Sequence, residues 1–412
     1  MTTVIIGGGA AGIMTAATLL EQQPKANIIL IEKNAILGRK ILLSGGGRCN
    51  LTTGIQDIKL LLTKYPRGHK FLRIAMYNFS PPQVQDWFVQ HGIPLKTQPD
   101  LRVFPQSNNG QDIVNVFTKI FSEHKNMQVM LQQTVKTIIK KNNVFSIILS
   151  SGKNISADKV VLAVGGQAYR QTGSTGDGYY FAEQLGHTIT PLAPSLNAFL
   201  VKEAWVKQLA GVSLPEIILQ VPNNKKYQAI GPVVFTHQGM SGPVVFALSA
   251  QIAFEHYNHN APLTITLDFV PSLNIAQLTN QLNVLINTQP KQLLRNTLHG
   301  WLPKSLVFEL LQNLHISLEQ INATVNKTMR MKIVQWLKQC PVQIIGRAAG
   351  EEFVTAGGVD TNEVNPRTME SKLCPGLFFA GEILNIDGFT GGFNLQAAWA
   401  TSRLAGLTCA LK

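Results

Sequence analysis

The apolar positions near the start of the chain group into short β-branched runs separated by one helical stretch. Thr3–Ile6 is a compact apolar run that stops at three consecutive glycines. Ala10–Leu20 has helical composition, and Ile28–Ile31 is a second apolar run of strand character. Together they predict a βαβ unit of about 30 residues. Gly38–Thr53 is glycine-rich and polar and reads as a loop. Ser80 before Pro81 and Pro82 predicts an N-cap with proline in the first turn, opening a helix to about His91. Asp112–Glu123 follows as an amphipathic helix. Val129–Leu131, Val135–Lys141 and Val144–Leu149 read as strands, the last two joined at Asn142-Asn143 as a hairpin. Val160–Val164 is continuously apolar and ends in Gly165-Gly166, the pattern of a buried parallel strand.

Near Pro191 the pattern changes. Short strand-like runs broken by proline and glycine continue to about Val270 and predict a β-rich domain. Ser272 to about Gln339 reads as helical, with Leu278, Leu282 and Leu285 on one face. Pro341–Ile345 returns to strand, and Phe353–Val359 leads back toward the first fold. The C-terminal part predicts a strand at Leu377–Ala380, a glycine-rich loop, and a helix from about Asn394 to Leu407.

Composition narrows the class. A chain of 412 residues is too long for one ordinary core. Its 45% hydrophobic and 14% charged residues are those of a soluble globular protein, and no apolar run approaches membrane-spanning length. A cleaved signal peptide is not expected, because the first strand leads straight into the glycine loop. Cys49, Cys340, Cys374 and Cys409 form no C-x-x-C pair and no metal-ligand spacing, so we expect no disulfide framework, no metal and a reducing cytoplasm. The formal charge of +13 points either to an anionic partner or to a basic proteome background. A count does not separate nucleic acid from an acidic small molecule or a membrane surface.

The first chemical motif is Gly7-Gly8-Gly9-Ala10-Ala11-Gly12. Gly7, Gly9 and Gly12 fill the G-x-G-x-x-G pattern between a strand and a helix. The first glycine permits the turn, the second lets backbone approach a pyrophosphate, and the third lets helix pack on strand. Glu32, at the end of the second strand, is placed to accept hydrogen bonds from a ribose diol. NAD and FAD share this signature. The C-terminal stretches Phe378–Glu382 and Asp387–Gln396 favour FAD. Glu382 would reach a ribityl or phosphate-proximal hydroxyl. The amides at Gly391–Leu395 open a helix whose N-terminus would stabilise the negative charge of reduced flavin. No second G-x-G-x-x-G lies on a strand–helix boundary, so NAD(P)H, the expected electron donor, would visit the substrate side or come with a partner.

Three further stretches carry a resemblance. Gly38–Thr52, Phe235–Pro243 and Thr355–Val359, within a match running from Val4 to the C-terminal helix, resemble the BaiN/RdsA family of NAD(P)/FAD-dependent oxidoreductases. The resemblance implies an α/β fold, with a doubly wound, Rossmann-like FAD-binding domain built from both chain ends. An inserted β-barrel-like domain and a helical sub-domain would complete it. On this reading the FAD domain spans 1–190 and 346–412, the β-rich domain 191–271 and 340–345, and the helical insert 272–339. The implied activities are reductions of carbon–carbon double bonds. They include bile acid intermediates and a uridine of large-subunit (23S) ribosomal RNA, giving dihydrouridine. Oxidation of small amines is attributed to relatives. A small-molecule reductase or amine oxidase, and an RNA-binding or assembly protein with structural FAD, are the alternatives.

In the Gly38–Asn50 loop, Arg39 and Lys40 would meet phosphate or ribose oxygens, or else form a solvated pair. Gly45 and Gly46 would let backbone lie flat near the ring. Gly165, Gly381, Gly392, Asn394 and Leu395 join the expected cofactor set, with Ala11, Lys33, Val135 and Ala163. Reducing a uracil double bond needs a proton donor. Cys49 could serve, with Arg48 favouring its thiolate, or could be a small residue packed under the cofactor. His237 is the rival acid, or a structural turn residue. Asp177 reads as a cap for the helix after it. For RNA, Lys59, Lys64, Arg67, Lys70 and Arg73 occur with no intervening acid, interleaved with Tyr65, His69 and Phe71. The helical insert adds Lys291, Arg295, Lys304, Lys327, Arg330, Lys332 and Lys338 against Glu309 and Glu319. The alternative for each cluster is an ordinary solvated face.

Overall fold

The computed structural model describes residues 1–222, 224–348 and 353–411. The chain forms two compact units, Met1–Ser195 with Glu352–Lys412, and Leu196–Glu351. These divisions fall about five residues later than the composition change suggests, because Ala193–Ser195 pairs antiparallel with Val354–Ala356 inside the first unit. The barrel and the helical insert belong to one unit rather than two.

The first unit is built on a five-stranded parallel sheet in the order Leu377–Phe379, Lys159–Leu162, Thr2–Ile6, Asn27–Ile31, Met127–Met130. The first strand of the chain is therefore central and the last is at an edge. Val4, Ile5, Val160, Val161 and Leu162 are completely buried, as expected of strands covered on both faces. The helices Ala10–Gln22 and Phe393–Leu411 pack on this sheet and on each other. Val135–Lys141, Val144–Leu149 and Asn154–Ala157 form a three-stranded antiparallel sheet whose first two strands are joined by a tight two-residue turn. Asn142 and Asn143 both take left-handed backbone there, at φ 47° and 64°, which is the two-residue turn that fits twisted strands.

Local differences from the sequence reading have clear causes. The stretch 38–53 is not all loop: Arg39–Leu43 is a short helix and Thr52–Thr53 a short strand. Two helices, Ile58–Leu62 and His69–Asn78, lie in the stretch read only for charge. Their buried positions, Ile58, Leu61, Phe71, Leu72, Ala75 and Met76, have helical spacing that the lysines and arginines masked. Asp177 starts its helix instead of capping it; Gly176 is the N-cap.

The second unit holds a closed barrel of six strands in the order Phe199–Val201, Gly239–Ser241, Asn224–Thr236, Ser213–Val221, Leu263–Asp268, Cys340–Arg347. The helical insert leaves the barrel after Leu263–Asp268 and returns in Cys340–Arg347. It contains Ile275–Thr288, Leu294–Leu298, Lys304–Asn313 and Lys327–Gln339. Its apolar faces share one core with the barrel. The insert starts at a reciprocal cap: the Gln277 amide donates to Asn274 Oδ1 at 2.9 Å, and the Asn274 amide donates to Gln277 Oε1 at 2.9 Å. Replacing Asn274 by alanine should lower stability by about 1 kcal/mol, read as a reduced midpoint in chemical denaturation with an unchanged slope.

Candidate cofactor site

The three motif glycines do three different physical jobs. A Cβ on Gly7 would sit 2.5 Å from the Ala163 carbonyl oxygen, so glycine there brings the loop against the end of the neighbouring strand. A Cβ on Gly12 would lie 1.8 Å from the Gly7 oxygen, so glycine there seats the helix on the loop. A Cβ on Gly9 would meet nothing within 4 Å. The open space lies beside the N-terminus of the Ala10–Gln22 helix, which has no side-chain cap and no acidic residue in its first turn. Uncapped amides, a positive helix end and room for a close approach fit a pyrophosphate. Gly9→Ala should leave the melting temperature of the apoprotein unchanged yet weaken FAD retention by roughly tenfold. Gly12→Ala should destabilise the fold by about 1–3 kcal/mol. Thermal melts and bound-flavin absorbance of the two variants separate these effects.

Glu32 is only 8% exposed at the end of its strand. Its Oε2 accepts from the Gly8 amide at 2.6 Å, and its Oε1 from the Asn34 amide and side chain at 2.7 and 2.6 Å. The carboxylate is thus held rigidly beside the glycine loop. The Gln133 amide donates to the Glu32 carbonyl, which brings buried Val135 to the same end of the sheet. Lys33 pairs with Asp177 at 2.7 Å and donates to Thr175 Oγ1 at 2.6 Å, and Arg39 donates to Asn34 Oδ1. Burial opposes the ionised Asp177, but Lys33 and Thr175 outweigh it and hold the carboxyl below its ordinary range.

The C-terminal motif meets the N-terminal one. A Cβ on Gly381 would lie 2.8 Å from the Ala11 side chain, so the strand end after Phe379 abuts the first turn of the first helix. Glu382 then pairs with Lys40 at 2.7 Å and accepts from the Thr355 amide at 3.0 Å. Thr355 Oγ1 in turn accepts from the amides of Gln167 and Ala168, just past Gly165. The buried Tyr179 hydroxyl lies beside these groups, and burial first, then the Glu382 charge, push its pKa up. The sequence singled out Thr355 only as the start of the Thr355–Val359 stretch and gave neither it nor Tyr179 a place in the site. Gly392 has φ 86°, and a Cβ there would be 2.3 Å from the Thr52 oxygen. Asn394 uses its side chain to clamp the loop, accepting from the Gly388 amide and donating to the Gly388 oxygen at 2.8 Å each. Leu395 is half-buried in the first turn of the C-terminal helix. Gly45 lies against the Phe104 ring, while Gly46, at φ 69°, faces open space.

Three expectations need correction. Arg48 does not make Cys49 a thiolate. Cys49 is 0% exposed, and burial pushes its pKa up to about 12, only partly offset by Ser44. Arg48 instead lies over the Phe104 ring at 4.3 Å and donates to the Gly45 oxygen. Cys49 should therefore resist iodoacetamide in the native protein and react on unfolding, as read by peptide mass spectrometry.

Second, Arg67 is not an RNA-facing cation. It forms a two-pronged ion pair with Asp387, which is 1% exposed and also accepts from Ser195 Oγ at 2.8 Å. Removing one partner of such a pair costs about 3–5 kcal/mol, because the other charge stays in the core. Third, Tyr65 and Phe71 are buried and offer no face to a base; the Tyr65 hydroxyl donates to the Phe393 oxygen at 2.7 Å. Lys59, His69, Lys70 and Arg73 are exposed, and Lys64 is partly so.

In the second unit, His237 is exposed in the turn between Asn224–Thr236 and Gly239–Ser241. Of the insert's basic residues, Lys338 pairs with Asp268 and donates to two backbone oxygens, Arg330 donates to Val325 and Asn283, and Arg295 pairs with Glu319. Lys291, Lys304, Lys327 and Lys332 are exposed. Among the described residues no helix is long and apolar enough to cross a membrane.

Residues 1–408 match the model of the HI0933-like protein Rossmann domain. The chain belongs to this family. It is a family of FAD-type oxidoreductases, and the sheet, glycine loop and barrel insert described above are its fold. The chain is 32% identical to a ribosomal RNA dihydrouridine synthase of Escherichia coli over 97% of this chain and 95% of that one. It is 30% identical to a 3-dehydro-bile acid delta(4,6)-reductase of Clostridium scindens over 98% of each. Among solved structures, a 3-ketosteroid delta1-dehydrogenase from Sterolibacterium denitrificans shares the fold, with a TM-score of 0.52 at 12% identity, covering 100% of this chain and 99% of that one.

Proposed function

We propose that the protein is an FAD-dependent reductase of a carbon–carbon double bond conjugated to a carbonyl. Its substrate on this reading is a uridine of large-subunit ribosomal RNA, which it converts to dihydrouridine with NAD(P)H as the electron source. The observation that carries the cofactor is the open space at Gly9 beside an uncapped helix N-terminus. The substrate rests on the Escherichia coli relative, together with the exposed Lys59, Lys70 and Arg73.

When bound, FAD supplies the hydride. The chain's own residues bind and orient it. The first-helix amides would hold the pyrophosphate, Glu32 the adenosine ribose, and the Lys40–Glu382 pair the polar groups between them and the ring. The first turn of the Phe393–Leu411 helix would place its positive end toward the ring. The Asn394 clamp and the Arg67–Asp387–Ser195 cluster hold that turn's approach in one conformation. A target base must leave its stack to meet a ring held this way. Cys49, buried and neutral, packs the loop and is no thiolate.

The Clostridium scindens relative supports a second reading, reduction of a steroid-like enone, and the burial of Tyr65 and Phe71 agrees with it. Deleting the gene and mapping dihydrouridine in large-subunit RNA decides between them. Loss of one dihydrouridine is expected; an unchanged map, with RNA-independent enone turnover by the purified flavoprotein, would sink the RNA reading. Neutralising Lys59, Lys70 and Arg73 together should then reduce the salt slope of RNA binding by about two to three.

A further inference from the structure

The second unit carries a cavity whose chemistry is opposite to that of the chain as a whole. It has a volume of about 550 Å³. The helix Ala204–Gln208, the helix Lys304–Asn313, the end of Lys327–Gln339 and the start of Cys340–Arg347 line it. Its charged groups are two carboxylates, Glu203 and Glu309, in a protein with a net charge of +13. Its large walls are the indoles of Trp205 and Trp336, with ring centres 5.5 Å apart and planes inclined by 49°. The amide side chains of Gln208 and Asn313 complete the polar lining.

The two carboxylates are in different states. Glu203 is satisfied: both its oxygens accept from the Gln343 amide at 3.0 Å. Glu309 is only 7% exposed, and among the described residues no cation or hydrogen-bond donor meets its carboxylate. Burial raises its pKa, with no positive neighbour to oppose the shift. A mostly buried carboxylate is costly unless something pairs with it, and an acid with a raised pKa lining a cavity is a candidate binding group. Packing alone does not call for it, since a leucine would cover the same helix face without the cost. Trp336 meanwhile is fixed in place by stacking on Phe269, with centres 5.0 Å apart and planes 17° apart. Indoles and an unpaired carboxylate lining one cavity are the groups that hold an organic cation, by π attraction and by charge.

We propose that this cavity binds a small organic ammonium ion, an alkylamine or a polyamine, with Glu309 as its counter-ion and Trp205 and Trp336 as its walls. The proposal concerns binding and is independent of the flavin reaction.

Tetramethylammonium and spermidine serve as probes on the purified full-length protein, with 3,3-dimethylbutanol as the neutral counterpart. Titration calorimetry and tryptophan fluorescence should show saturable binding of at least one cation and none of the alcohol. Glu309→Gln should weaken the cation by roughly tenfold or more. It should melt no earlier than the wild type, because it removes a buried charge that nothing in the free protein pairs. Three results would each overturn the proposal: no saturable binding of either cation, equal binding of the alcohol, or cation binding untouched in Glu309→Gln. An earlier melt of that variant would show instead that the carboxylate is a structural partner, and would overturn it too.

Discussion

The packing of the first helix, Ala10–Gln22, against the last, Phe393–Leu411, is the contact on which the rest of the first unit depends. It is close because small residues allow it: a Cβ on Gly406 would lie 2.7 Å from Thr18 Cβ. Buried Lys159 donates to the Cys409 oxygen at 2.6 Å, and Gln23 donates to the Ala410 oxygen, so the final turn is tied to the central sheet. Because the two helices lie together, the Gly381–Glu382 turn reaches Ala11 and the two halves of the cofactor motif become one surface. The inserted unit can be long without disturbing this, since the chain leaves and returns through neighbouring strands at Ala193–Ser195 and Val354–Ala356.

A second layer of constraint acts on the loop before the last helix. The stretch Lys64–Gly68 runs along Asn385–Phe393: the Phe389 amide donates to the Lys64 oxygen, Tyr65 donates to Phe393, and Arg67 grips Asp387. A Cβ on Gly68 would lie 2.3 Å from Ile386, which explains a left-handed glycine there. Burial alone favours a neutral Asp387, and Arg67 and Ser195 oppose it. The pair therefore does not stabilise by its charges so much as it restricts the loop to one geometry, since any other would leave a charge in the core without a partner. Charge that looks available along the sequence is here committed to holding the site.

The same logic separates apparent from effective charge elsewhere. Lys33, Lys40, Arg295 and Lys338 each have a carboxylate within 3.0 Å. Of the basic residues between 59 and 73, Lys59, Lys70 and Arg73 remain outward without a carboxylate partner among the described residues, and of those in the insert Lys291, Lys304, Lys327 and Lys332 are exposed. Within that insert an acid, Glu309, is mostly buried with no partner among the described residues, where the charge count presented it merely as a counterweight.

The sequence by itself determined the N-terminal βαβ unit, the glycine loop with Glu32, the 142–143 hairpin, the inserted β-rich and helical segments, and the C-terminal loop–helix entry. These are local: turn chemistry and hydrophobic period act over a few residues, so their signals lie side by side in the chain. Tertiary structure decided whatever depends on partners far apart in sequence. Lys40 finds Glu382 342 residues away, and Arg67 finds Asp387 320 away. Burial turned Cys49 from a reactive thiol into a neutral one and made core residues of Tyr65 and Phe71. A charge or thiol is defined chemically by its surroundings, and a linear sequence specifies the group without yet showing what surrounds it.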